Sequence, residues 1–148
     1  MKLHEIDDMI AAEAGMSIPD IFEKHGEAYF RDLEEKICGR AVSGKASVIS
    51  CGGGTLMREA NVERLREGSV LILLDASPDT VYERVKRSAA DRPLLAEHMS
   101  RGYISWLMKQ RESAYRKAAD YIICVDGRTS SIAAAEIIEL MKNGFSGK

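Results

Sequence analysis

Three short apolar runs, separated by stretches of helical periodicity, most limit what these residues can fold into. Ser47–Cys51 (SVISC), Ser69–Leu74 (SVLILL) and Tyr121–Val125 (YIICV) are largely aliphatic or β-branched at successive positions. A strand with one wet face alternates apolar and polar residues, whereas a strand covered on both faces does not. Around the runs lie helical patterns near Gly26–Val42, Arg58–Arg66, Thr80–Ala90, Ser100–Lys117 and Ser130–Lys142. Strands alternating with helices predict an α/β fold, a parallel sheet covered by helices. The punctuation agrees: Ser77-Pro78 is an N-cap followed by a first-turn proline, and Ser17-Ile18-Pro19-Asp20 opens another short helix.

The 148 residues, 45% hydrophobic and 30% charged, suit one core and hence a single domain over 1–148. A formal net charge of -2 supplies no basic field of the kind a phosphate-backbone binder uses, so nucleic acid is not an expected partner. Cys38, Cys51 and Cys124 have no CxxC spacing and read as reduced core thiols of a cytoplasmic protein. The opening MKLHEIDDMI has no apolar stretch ahead of a cleavage site, and no run approaches the ~18 apolar residues of a membrane span. A membrane partner is therefore not expected either.

Four local features carry chemistry. Cys51-Gly52-Gly53-Gly54-Thr55 follows a strand at the carboxyl end, where open α/β sheets take ligands, and its glycines leave backbone N–H groups uncovered. A tight turn alone would need one glycine. Arg31 and Glu34 stand at i, i+3 on one helix, so the carboxylate can pre-aim the guanidinium for bidentate recognition of an anion; an isolated pair of this kind is commonly a solvated bridge. Asp91-Arg92-Pro93-Leu94-Leu95, with His98 and Met99, reads either as a closing lid or as an ordinary connection. Arg111, in Gln110-Arg111-Glu112-Ser113-Ala114-Tyr115, adds a cation on a helix. By contrast, Gly39–Ala46 fits GxxxxGK but puts Ala46 where a Ser or Thr belongs, and it ends a helix instead of opening one.

In this order, the pieces resemble shikimate kinase, a P-loop kinase of the nucleoside monophosphate kinase-like group. The resemblance rests on Asp7-Asp8-Met9-Ile10, Gly15-Met16-Ser17-Ile18, Ile21-Phe22, Gly26-Glu27 and Phe30-Arg31, then on the GGG turn, Arg92-Pro93-Leu94-Leu95, and Arg111 four residues before Tyr115-Arg116. It implies ATP-dependent phosphorylation of the shikimate 3-hydroxyl in aromatic amino-acid biosynthesis, with Mg2+. Asp7 would orient the acceptor hydroxyl and take its proton. Arg31 and Arg111 would clamp the substrate carboxylate, with Glu34 steadying Arg31, while Gly52, Gly53 and Gly54 would fit the remaining hydroxyls. Arg92 would swing in with a lid spanning about 88–101 and offset charge on the transferring phosphate. Arg87 and Arg128 would lie near the nucleotide.

The chain also departs from that family. Its opening strand, GxxGxGK[ST] loop and following helix are not among these residues, and of its second strand only the end is expected here. Glu5 stands where the family has the first Asp of the Asp-x-Asp pair closing that strand, so that any hold on magnesium would run through water. Without the loop, phosphoryl transfer by these residues alone is expected to fall by many orders of magnitude. The missing strand would lie between those at Ser47 and Ser69, leaving inner sheet edges through which the chain could self-associate. Two further readings remain open: a non-catalytic module that binds a shikimate-like hydroxy acid, and a gluconate kinase-like sugar acid kinase.

Overall fold

A computed structural model describes residues 1–43, 45–89 and 100–144. The chain forms two compact units, Met1–Leu71 and Ile72–Lys148.

In the first unit, β1 (Lys2–Glu5) pairs in parallel with β2 (Ser47–Ser50), Leu3 opposite Val48. Parallel neighbours need a long crossover, supplied here by α1 (Ile6–Ala14) and α2 (Ile18–Val42). Asp7 and Asp8 occupy the first turn of α1, where the helix dipole favours negative charge, and Gly15 ends it at φ 67°, donating its N–H to the Ala11 carbonyl. Ser17 caps α2, its hydroxyl accepting the Asp20 N–H at 3.3 Å.

Gly26, at φ 80° and ψ 176°, breaks α2 into two segments. The second buries Phe30, Glu34, Ile37, Cys38 and Ala41 at helical spacing, one carboxylate within an otherwise apolar stripe. A 3-10 turn (Thr55–Met57) and α3 (Glu59–Arg66) follow β2. Ile6, Ile10, Ile21, Ile37 and Leu65 are buried in this unit.

In the second unit, β3 (Ile72–Asp75) pairs in parallel with β4 (Tyr121–Cys124), with α4 (Pro78–Ala89), α5 (Arg101–Ala118) and α6 (Ser130–Lys142) around them. Ser77, Ser100 and Thr129 cap the three helices through side-chain oxygens. Ile123, Val125 and Ala133 form its core, with Ile72, Ala76, Ile137 and Leu140 packed against them. No described helix is long and apolar enough to cross a membrane.

The predicted strands and helices appear, with shifted bounds. Ser69 begins no strand, because its hydroxyl donates back to the Leu65 carbonyl at 2.5 Å and ties the segment to the end of α3. β1 falls where the resemblance puts the end of the family's second strand, although Lys2, His4 and Glu5 hide it from an apolar-run search, and α1 is additional. Cys124 is exposed, contrary to the expected core thiol, since its side chain lies on the face opposite Ile123; Cys38 is buried and Cys51 partly so. The proposed lid lies largely outside the described residues, Arg92 with it.

Candidate active site

Three stretches far apart in sequence meet at the carboxyl end of the first sheet. α1 brings Asp7, the second segment of α2 brings Arg31 and Glu34, and the turn after β2 brings the glycines. At Gly52 and Gly54 the contacts are close enough that a side chain would displace the group it faces. A Cβ on Gly52 would stand 2.8 Å from Asp7 Oδ1, and one on Gly54 would stand 2.8 Å from Arg31 Nη1 and 2.9 Å from Nη2. The bare backbone of this turn thus backs directly onto a carboxylate and a guanidinium.

Glu34 is 1% exposed and fully committed. Its Oε2 accepts from Arg31 Nη1 at 2.9 Å and from Asn61 Nδ2 at 3.2 Å, and its Oε1 accepts the Thr55 hydroxyl at 2.9 Å. A buried charge needs this degree of pairing to be tolerated. Arg31 meets Glu27 only at 3.4 Å. Its remaining hydrogen-bonding capacity is therefore available to an anion.

Burial first, then Glu34, Asp8 and Glu5, hold the Asp7 carboxyl above the usual carboxylate range, against the opposing pull of Arg31. A raised folded-state pKa means that the folded chain keeps a proton which the unfolded chain releases. Stability therefore falls as pH rises from the usual 3.8 through the raised value, and ionised Asp7 weakens the fold at neutral pH. Asp7→Asn is accordingly expected to stabilise the chain at pH 7, by less than about 1 kcal/mol because Asp7 is largely exposed, with the gain lost near pH 3. Urea unfolding at both pH values checks this; a less stable Asn variant at pH 7 would contradict it.

Cys51, beside the glycines, is no nucleophile, since burial, then Glu34, Asp7 and Glu5, push its thiol up to about 11. Glu5, the N-cap residue of α1, stands two residues from Asp7, and among the described residues no group of three or more His, Cys, Asp or Glu is placed to ligate an ion directly. Gly39–Val42, the start of the GxxxxGK match, is helical and ends α2, so it forms no phosphate cradle. These residues do not by themselves fit magnesium-bound ATP.

Arg87, Arg111 and Arg128 belong to the second unit. Arg87 is exposed near the end of α4. Arg111 is partly buried on α5. Arg128 pairs with Glu136 at 2.5 Å. Thr55 and Asn61 are site-supporting residues that the sequence reading missed. Asn61 lies four residues before the buried Leu65 on α3, and a polar residue on the buried face of a short helix was the available signal.

A family profile described as shikimate kinase matches residues 1–142. The chain belongs to the shikimate kinase family. It is 40% identical over 134 residues to a shikimate kinase of Caldanaerobacter subterraneus subsp. tengcongensis, covering 90% of this chain and 77% of that protein. A shikimate kinase of Rhodopseudomonas palustris is 42% identical over 114 residues, covering 77% of this chain but 56% of that protein. The shikimate kinase fold is equally plain in three dimensions. A solved shikimate kinase from Acinetobacter baumannii in complex with shikimate superposes with a TM-score of 0.81 at 28% identity, over 99% of this chain and 81% of that one.

Proposed function

We propose that this chain carries the acceptor side of a shikimate kinase: it binds shikimate, holds the carboxylate on Arg31 and presents the 3-hydroxyl to Asp7. The observation that carries this reading is the glycine turn, whose Gly52 and Gly54 lie directly against Asp7 and Arg31. A site of this kind has an anion clamp and a proton acceptor on one rigid turn, which suits a small hydroxy acid.

Arg31 meets a planar carboxylate with two parallel N–H donors, an arrangement that Lys cannot supply. Asp7 accepts the hydroxyl hydrogen, and its raised pKa makes it a better base toward that proton than an ordinary aspartate. As in other kinases, the phosphoryl donor is expected to be ATP with Mg2+, which the described residues do not by themselves fit.

Calorimetric titration of the 148-residue chain with shikimate tests the reading. Saturable binding that gluconate does not displace is expected. Gluconate displacing shikimate at equal concentration would favour a sugar acid kinase, and a folded chain that binds neither would overturn the assignment. With magnesium and ATP added, these residues alone are expected to bind shikimate without appreciable transfer, and rapid transfer to bound shikimate would show that they suffice for kinase activity.

A further inference from the structure

We propose that Thr55 and Asn61 are positioning residues for the carboxylate clamp, acting through Glu34 to fix where Arg31 points. This rests on the reading of Arg31 as the shikimate-carboxylate ligand.

The geometry has a single hub. Glu34 has both oxygens occupied, one by the Thr55 hydroxyl and the other by Arg31 and Asn61. An ion pair at i, i+3 on a helix is ordinarily free to swing between rotamers. Here the carboxylate cannot turn without breaking two neutral hydrogen bonds away from water, so the guanidinium is held to one direction.

Thr55 also belongs to the glycine turn. It follows Gly54 directly, and its N–H donates to the Gly52 carbonyl at 3.1 Å. Its hydroxyl therefore ties the turn and the arginine to the same carboxylate. Asn61 closes the loop, because Nδ2 donates to the Thr55 carbonyl at 2.9 Å as well as to Glu34.

Asn61 shows that this arrangement is more than packing. With both Nδ2 hydrogens donated, the amide can face only one way, and its Oδ1 is buried without a protein partner among the described residues. A buried acceptor left unpaired weakens the fold, and a leucine of similar size would carry no such defect. What Asn61 contributes is the pair of donated bonds. Burying a polar residue at a local cost to hold another side chain in register is a pattern found at functional sites.

The experiment combines binding with a direct view of Arg31. In calorimetric titration, Thr55→Val and Asn61→Leu are expected to bind shikimate about tenfold more weakly than the wild type, with Thr55→Ser close to the wild type. In an Arg31→Ala background the same changes are expected to have no further effect, since they act only through the arginine.

NMR of the chain labelled with 15N-arginine is expected to show slow rotation of the Arg31 guanidinium in the wild type and faster rotation in either variant. Undiminished affinity in Thr55→Val and Asn61→Leu overturns the proposal. Equal losses with and without Arg31, or a freely rotating Arg31 in the wild type, do so too. If the folded wild type binds no shikimate, the functional reading fails separately, and the rotation of Arg31 in the wild type and in Asn61→Leu still decides this one.

Discussion

Arg31→Ala is expected to weaken shikimate binding by about two orders of magnitude. Truncating one member of a hydrogen-bonded charge pair at a desolvated site typically costs about 2–5 kcal/mol, which corresponds to roughly 30-fold to several thousandfold in affinity. The lower half of that range applies here, because the Arg31 side chain keeps 29% of its surface in water while that of Glu34 keeps 2%. The same substitution strands the Glu34 charge with only two neutral donors, so a loss of about 1–3 kcal/mol in stability is expected as well.

Arg31→Lys separates the two effects. An ammonium can return charge to Glu34 and recover much of the stability, yet it cannot offer two parallel N–H groups to the ligand, so affinity stays low. Calorimetry and thermal unfolding on the same samples check both halves. Undiminished affinity in Arg31→Ala would remove the arginine from the site.

Gly54→Ala is expected to damage binding nearly as much while sparing the fold. The new methyl group would sit 2.8 Å from Arg31 Nη1, too close for any real contact, so something must move. The backbone will not, since φ -101° and ψ -16° suit alanine as well as glycine. The guanidinium is the flexible end of a long side chain and gives way. A displacement of about 1 Å at a positioning group can cost up to 10²-fold, so a loss of about 10- to 100-fold in shikimate affinity is expected with the melting temperature within a few degrees of the wild type. A large drop in melting temperature would instead assign the glycine to folding.

Much of the site was legible because its chemistry lies in unusual residue combinations. Three glycines after a strand exceed what a turn requires, and an Arg–Glu pair at i, i+3 follows from helical geometry, so both were visible without coordinates. The caps at Ser17 and Ser77 were legible for a similar reason: a hydroxyl ahead of a first-turn proline admits few conformations.

What escaped was whatever only tertiary contact defines. β1 is a strand because β2 pairs with it, not because Lys2-Leu3-His4-Glu5 prefers to be one. Val48 and Leu74, which an unbroken apolar run places in the core, are 51% and 52% exposed. Thr55 and Asn61 look like ordinary turn and helix residues until Glu34 is found buried between them. The spacing of 21 and 27 residues from Glu34 carries no local signal.

The break at Gly26 has a consequence for how such a chain can change length. Upstream of it, an inserted or deleted residue would disturb the packing of the buried Ile21 but leave Arg31 and Glu34 in register with each other, because Gly26 already sits outside the helical region. Downstream, between Glu27 and Val42, one residue more or less rotates everything beyond it by about 100°. An insertion just before Arg31 would turn Arg31 and Glu34 away from the glycine turn together, their mutual bond intact and their purpose lost. Gly26 thus divides a stretch whose register matters only for its own packing from one whose register is fixed by the ligand it serves.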